Sequence, residues 1–139
     1  MKKLFLVLLT TILLAACQVK SADVVGKTVT VDGGSYTRVA PDELNIMLKN
    51  KDFVFINVHI PLEGNIADTD LSIPYDQITD PGNLAQLPTN KNAKIVLYCR
   101  SGRMSQIAVE ALVKLGYTNI WDLAGGMVDW EQAGYVLEK

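Results

Sequence analysis

The chain has 139 residues, 49% of them hydrophobic and 20% charged, which suits one globular domain with a real core and excludes a disordered or repeat-built protein. Its 13 basic and 15 acidic residues leave a net charge of −2, which argues against a nucleic-acid partner or an anionic-lipid binding face. With two cysteines, Cys17 and Cys99, and one histidine, His59, nucleophilic and metal-binding chemistry is confined to few positions.

Residues 1–16 read as a targeting segment: Lys2 and Lys3 form a basic start, Leu4 to Leu14 an apolar stretch too short to span a bilayer comfortably, and Ala15-Ala16 a small-residue cleavage site. Leu14-Ala15-Ala16-Cys17 resembles the lipobox of bacterial lipoproteins. That resemblance implies a lipidated Cys17 at the mature N-terminus and an extracytoplasmic, membrane-anchored protein on the periplasmic or outer cell-surface face. Acyl chains would hold it there at about 0.8 kcal/mol per buried CH₂. Residues 17–27 are short, polar and mixed, a tether, with the folded domain expected over 28–139.

Thr28 to Val31 alternates as a strand, Asp32-Gly33-Gly34-Ser35 is turn chemistry, and Tyr36 to Val39 returns as a second strand. Pro41-Asp42-Glu43 opens a helix, since proline suits the first turn and acids its positive end. Phe53 to Val58 is a continuous apolar run of the kind found in a strand covered on both faces. Residues 59–80, with Pro61, Gly64, Pro74 and several acids, read as a long connection, followed by a weak helix over Pro81 to Leu87. Ile95 to Tyr98 is another buried strand. Ser105 to Leu115 is the clearest helix, with Ile107, Ala108, Ala111, Leu112 and Leu115 on one side and Gly116 closing it. Asn119 to Leu123 forms a further strand, and Val128 to Ala133 a short final helix. Alternating strands and helices predict an α/β fold of three layers: a central, mostly parallel five-stranded sheet with helices on both faces. In such sheets the site lies beyond the carboxyl ends of the strands, where Cys99 falls.

The stretch "YCRSGRMS", Tyr98 to Ser105, places a cysteine between a parallel strand and a helix N-terminus. Inward-turned amides, the positive helix end and nearby cations all favour negative charge on such a sulfur. Ser101-Gly102 supplies a tight turn, Gly102 admits close approach of a ligand, and Arg100 and Arg103 supply charge for an anion. An inert core cysteine would have apolar neighbours on both sides; here one side is "RSGR". If Cys17 is lipidated, Cys99 is also a lone thiol in a disulfide-permissive compartment, which favours a reactive role.

These residues resemble a single-domain rhodanese, a sulfurtransferase, over nearly all of Tyr36 to Val136. "RVAPDELNIMLKNKDFVFINV" is similar to the family's opening helix and second strand, "IVLYCRSGRMSQIAVEALVKLGYTNI" to its active-site strand, loop and helix, "DLAGGMVDW" to its last strand with the Gly-Gly-x-x-x-Trp turn, and "EQAGYVL" to its tail. The resemblance implies that Cys99 takes a sulfane sulfur from a donor such as thiosulfate, forms a persulfide, and passes the outer sulfur to cyanide or a thiol, with no cofactor. It assigns the cradle to the loop Cys99, Arg100, Ser101, Gly102, Arg103 and Met104, with amides running on to Ser105, and anion recognition to Arg100 and Arg103. Met104 departs from the basic or hydroxylated residue common at the sixth loop position, which bears on affinity for thiosulfate.

A larger departure is Asn57-Val58-His59, where the family usually has "DVR". Asn57 and His59 then stand where an acid and an arginine brace the pocket. His59 faces Cys99 as a proton or hydrogen-bond partner on one reading, and holds the connection by a backbone hydrogen bond on the other. Glu63, Asp68, Asp70 and Asp76 are oxygen ligands by type but lack metal spacing, and read as a solvated acidic loop. Two alternatives to the sulfurtransferase remain. A cysteine phosphatase of the same fold needs an arginine where this chain has Ser105. A non-enzymatic, tethered persulfide-relay or binding module fits the altered segment at 57–76.

Overall fold

The computed structural model describes residues 23–139, so the expected targeting segment, Cys17 and the first part of the tether lie outside the described residues. The first hairpin consists of strands β1 (Lys27–Val31) and β2 (Gly34–Val39), folded back at Asp32-Gly33, where Gly33 takes the positive φ of the turn. The domain boundary expected at residue 28 thus falls one residue inside β1, and Val24 already packs against core side chains. Helix α1 (Pro41–Lys49) starts with proline in its first turn, and the Glu43 carboxylate accepts the Ala40 amide at 2.8 Å, which satisfies one donor of the helix start.

The remaining elements are β3 (Val54–Asn57), β4 (Leu71–Ser72), a 3-10 turn at Tyr75–Gln77, α2 (Pro81–Leu84), β5 (Ile95–Tyr98), α3 (Arg103–Lys114), β6 (Ile120–Leu123) and α4 (Gly126–Gln132). The sheet order is β1-β2-β6-β5-β3-β4, parallel throughout except for the β1/β2 pair. Among the described residues the sheet therefore has six strands rather than the expected five. The sixth, β4, pairs its two residues with Ile56 and Asn57 inside the segment read as a connection, and two residues are too few to leave an alternating pattern in the sequence.

Side-chain alternation along β5 separates the two cores. Ile95, Leu97 and Cys99 pack with Ala108, Val109, Leu112 and Val113 of α3, whereas Val96 and Tyr98 point to the opposite face with Leu44 of α1 and Met127 and Trp130 of α4. Along β6, Ile120 lies on the α3 face and Leu123 on the other. The same alternation puts Asp122 on the α3 side, and register places it opposite Leu97 of β5 and Arg38 of β2.

The connection from β3 to α2 is tied down by Tyr98. Its buried hydroxyl accepts the Ile66 amide at 3.0 Å and lies 2.7 Å from Thr69 Oγ1 and 3.3 Å from Asn65 Oδ1. Asp70 adds a second anchor, since its carboxylate accepts the Phe55 amide at 2.8 Å and pairs with Lys51 at 2.6 Å.

Candidate active site

β5 ends at Tyr98, and the chain turns over Cys99, Arg100 and Ser101 into α3. Gly102 caps that helix with φ 97°, a conformation that L side chains rarely adopt, and its amide donates to Cys99 Sγ at 3.0 Å. The amides of Arg103, Met104 and Ser105 open a twelve-residue helix and have no partner within it, so they and the helix dipole confront the sulfur side of the loop with positive charge. The loop's carbonyls are turned away: Cys99 O and Arg100 O accept the Met127 and Val128 amides of α4, each at 2.9 Å.

Beneath the sulfur lies a polar chain. Cys99 Sγ is 3.6 Å from Ser105 Oγ, which is 2.6 Å from Asp122 Oδ1 and 3.1 Å from the Gly102 carbonyl. Arg38 Nε donates to Asp122 Oδ2 at 3.3 Å, and the same guanidinium reaches the Tyr36 hydroxyl at 2.5 Å. Burial pushes the Asp122 carboxyl up to about 6, against the lowering pull of the Ser105 hydrogen bond and the Arg38 charge.

The solvent side is a cavity of about 150 Å³ lined by His59, Cys99, Arg100, Ser101, Arg103 and Met104. At its rim Glu63 Oε2 takes both Arg100 Nη1 at 2.5 Å and His59 Nε2 at 3.1 Å. The Arg100 hydrogen bond is the main influence holding the Glu63 carboxyl below its usual range. His59 Nδ1 is sealed from solvent and has no hydrogen-bond partner among the described residues.

Of the residues singled out in the sequence, the cavity brings together Cys99, Arg100, Ser101, Arg103, Met104 and His59. Gly102 contributes its amide, and Ser105 sits behind the sulfur, fully buried. The reading of His59 as a brace of the connection fits its amide, which donates to Asn57 Oδ1 at 2.9 Å; the residue also lines the cavity beside Cys99, but its Nε2 pairs with Glu63 and no hydrogen bond joins it to the sulfur among the described residues. Asn57 spends its amide group on Gly64 O and Asn65 Oδ1, so it braces the connection and does not line the cavity. Sequence reasoning missed two partners. Glu63 is exposed, as a solvated acid should be, and it also bridges Arg100 and His59, a contact to Arg100 across 37 residues that no local pattern reveals. Asp122 has a signal in the sequence, as a lone acid at an alternate position of an otherwise apolar strand.

A cysteine in an amide-lined loop at the carboxyl end of a parallel sheet is the arrangement of a rhodanese-type site. Residues 41–133 match the Rhodanese-like domain family, and the chain belongs to that family. Among curated proteins it is similar to the tRNA uridine(34) hydroxylase of Erwinia tasmaniensis, 32% identical over 103 residues that cover 71% of this chain and 29% of the relative. An uncharacterized Synechocystis protein is 32% identical over 98 residues, 69% of this chain and 52% of that protein. The chain thus spans roughly a third to a half of the curated relatives it matches. Among solved structures, a rhodanese-related protein from Thermoplasma volcanium superposes with a TM-score of 0.58 at 27% identity, covering 72% of this chain and 95% of that one. A rhodanese-like domain protein from Staphylococcus aureus gives 0.55 at 31% identity, covering 67% and 89%.

The elevated Asp122 carboxyl has a consequence for stability. Because the folded state holds this proton more tightly than the unfolded chain, whose carboxyl titrates near 3.8, the contribution is complete below that value and is lost as pH rises through about 6. The span is at most about 3 kcal/mol. Asp122→Asn is expected to remove this fall in unfolding free energy, measured by urea titration at about pH 4 and about pH 7. An equal fall in both proteins would show that Asp122 titrates normally.

Proposed function

We propose that this rhodanese-like domain is a sulfurtransferase that carries sulfane sulfur as a persulfide on Cys99. The observation that supports this most is Cys99 itself, which lines a small cavity with Arg100 and Arg103 while the Gly102 amide donates to its sulfur. About 150 Å³ is well below the roughly 300–1,000 Å³ of pockets for drug-sized ligands, and suits a compact oxoanion such as thiosulfate. The Cys99 thiolate attacks the outer sulfur of the donor, the donor's S–S bond breaks, and sulfite leaves with the bonding pair. An acceptor thiolate or cyanide then attacks the outer sulfur of the persulfide and releases Cys99 as thiolate.

Phosphatase chemistry is disfavoured, since the position that would need a phosphate-clamping arginine is Ser105, buried and hydrogen-bonded to Asp122. A relay that takes persulfide from a partner protein uses the same residues and differs in lacking turnover with small donors. The hydroxylase relative acts on tRNA by its name, but a net charge of −2 gives this chain little of the phosphate attraction that RNA binding draws on.

Incubation of the full chain with thiosulfate is expected to add the mass of one sulfur atom at Cys99, and cyanide to remove it. Cys99→Ser is expected to abolish both, whereas an unlabelled Cys99 would sink the proposal, and loading without small-donor turnover would favour the relay.

Glu63 tempers the site for anions, because its carboxylate occupies the Arg100 guanidinium that a thiosulfate would approach. Glu63→Gln should therefore lower the KM for thiosulfate about two- to fivefold, the range of an exposed ion pair. A raised KM would mean that Glu63 positions Arg100 for the donor.

We also propose that Cys17 is lipidated and anchors the domain outside the cytoplasm. Cys17→Ser is expected to change the mass of the mature protein and to remove it from the membrane fraction; no change in either would refute the anchor.

A further inference from the structure

The buried side of Cys99 carries a hydrogen-bond chain that the transfer steps above leave unused. Sulfur, Ser105 hydroxyl and Asp122 carboxylate succeed one another at 3.6 and 2.6 Å, and all three residues are at most 1% exposed. Ser105 has one hydroxyl hydrogen and three acceptors within reach: Asp122 Oδ1, the Gly102 carbonyl at 3.1 Å and the sulfur. Charge decides among them. With Asp122 ionised, the short charge-assisted bond takes the hydrogen, and Ser105 Oγ turns lone pairs toward the sulfur, which suits a neutral S–H and opposes a thiolate. With Asp122 protonated, its carboxyl donates to Ser105, and the hydroxyl hydrogen is free to turn toward an anionic sulfur.

We propose that Asp122 is a positioning residue that acts on Cys99 through Ser105, so that carboxylate and sulfur share one negative charge and exchange a proton during the sulfur-transfer cycle. In the forward direction the S–H bond of Cys99 breaks as its proton passes to Ser105 Oγ, and the hydroxyl proton of Ser105 passes to Asp122 Oδ1. The products are a thiolate and a carboxylic acid, with no change in oxidation state. When an acceptor removes the outer sulfur and Cys99 departs as thiolate, the proton returns by the same route.

The groups around the chain suit this exchange. Arg38 of β2 faces Asp122 and is held on its other side by Tyr36, on which Glu110 of α3 also acts. Arg100 and Arg103 lie on the solvent side of the sulfur with His59 and Glu63. Burial places the Asp122 carboxyl near 6, so both its forms are within reach of neutral pH. The inference rests on the sulfur-transfer reading for its purpose, while its test addresses the sulfur alone.

The test is the rate at which iodoacetamide alkylates Cys99 in the full chain, followed across pH by peptide mass. Two sites that share a charge titrate in two macroscopic steps. The wild-type profile is therefore expected to rise twice, and Asp122→Asn to rise once, at lower pH than the upper wild-type step, with alkylation about tenfold faster between the two midpoints. In a Ser105→Ala background the effect of Asp122→Asn should largely vanish. A single wild-type step, superimposable profiles for wild type and Asp122→Asn, or an undiminished Asp122→Asn effect without Ser105 would each overturn the proposal. Ser105→Ala alone provides a second route should Asp122→Asn fold poorly: it should erase the lower step with Asp122 in place, and persistence of both steps would be fatal. Alkylation requires no sulfur donor, so a protein that behaves as expected here yet accepts no sulfane sulfur would refute the sulfur-transfer reading alone.

Discussion

Two backbone hydrogen bonds govern the orientation of the Cys99 loop, those from the Met127 and Val128 amides to the carbonyls of Cys99 and Arg100. With its carbonyls drawn back toward α4, the loop is free to present amides to the sulfur side. The contact demands glycine at the start of α4. Gly126 has φ +59°, and a Cβ there would stand 2.8 Å from the Arg100 carbonyl and closer still to the Cys99 oxygen. The Gly-Gly turn after β6 is thus a close-packing device for the loop beside it, and the short helix it starts serves the site through its first amides.

The sheet then divides the charge around the sulfur. Alternation along β5 carries Cys99 to the α3 face, and alternation along β6 carries Asp122 to the same face. Cations lie toward solvent on the loop, and the carboxylate lies behind Ser105 in the core. On the proposed sulfur-transfer reading, a sulfur that cycles between thiol, thiolate and persulfide is bounded by attraction on one side and by a titratable acid on the other.

Much of this was legible in the chain. The strand before Cys99, the glycine turn and the apolar face of α3 are local patterns, and local patterns survive in one dimension. α3 starts two residues before the expected Ser105, because Arg103 is exposed and Met104 only half-buried, so apolar periodicity does not mark the first turn. β4 is too short for any period. Glu63 and Asp122 escaped for a common reason: each acts through a partner distant in sequence, Arg100 or Arg38, and only register or a folded connection brings them together. Asn57, expected as a possible pocket residue, turns its amide to the loop that follows and its oxygen to the His59 amide.

The Tyr98 hydroxyl has one more implication. This residue immediately precedes the nucleophile, yet its ring crosses to the opposite face of the sheet and binds the segment around Ile66 and Thr69. The rim that carries His59 and Glu63 is therefore moored at Asn57, at Tyr98, at Asp70 and, through Asn65, at Glu138, and between Asn57 and Asp70 it gives only Val58 and Ile66 to the core among the described residues. Such a segment is an exchangeable cassette. On the sulfur-transfer reading proposed above, the rim between its moorings is the part through which substrate preference can change while the sulfur, its amides and the acid behind it stay in place.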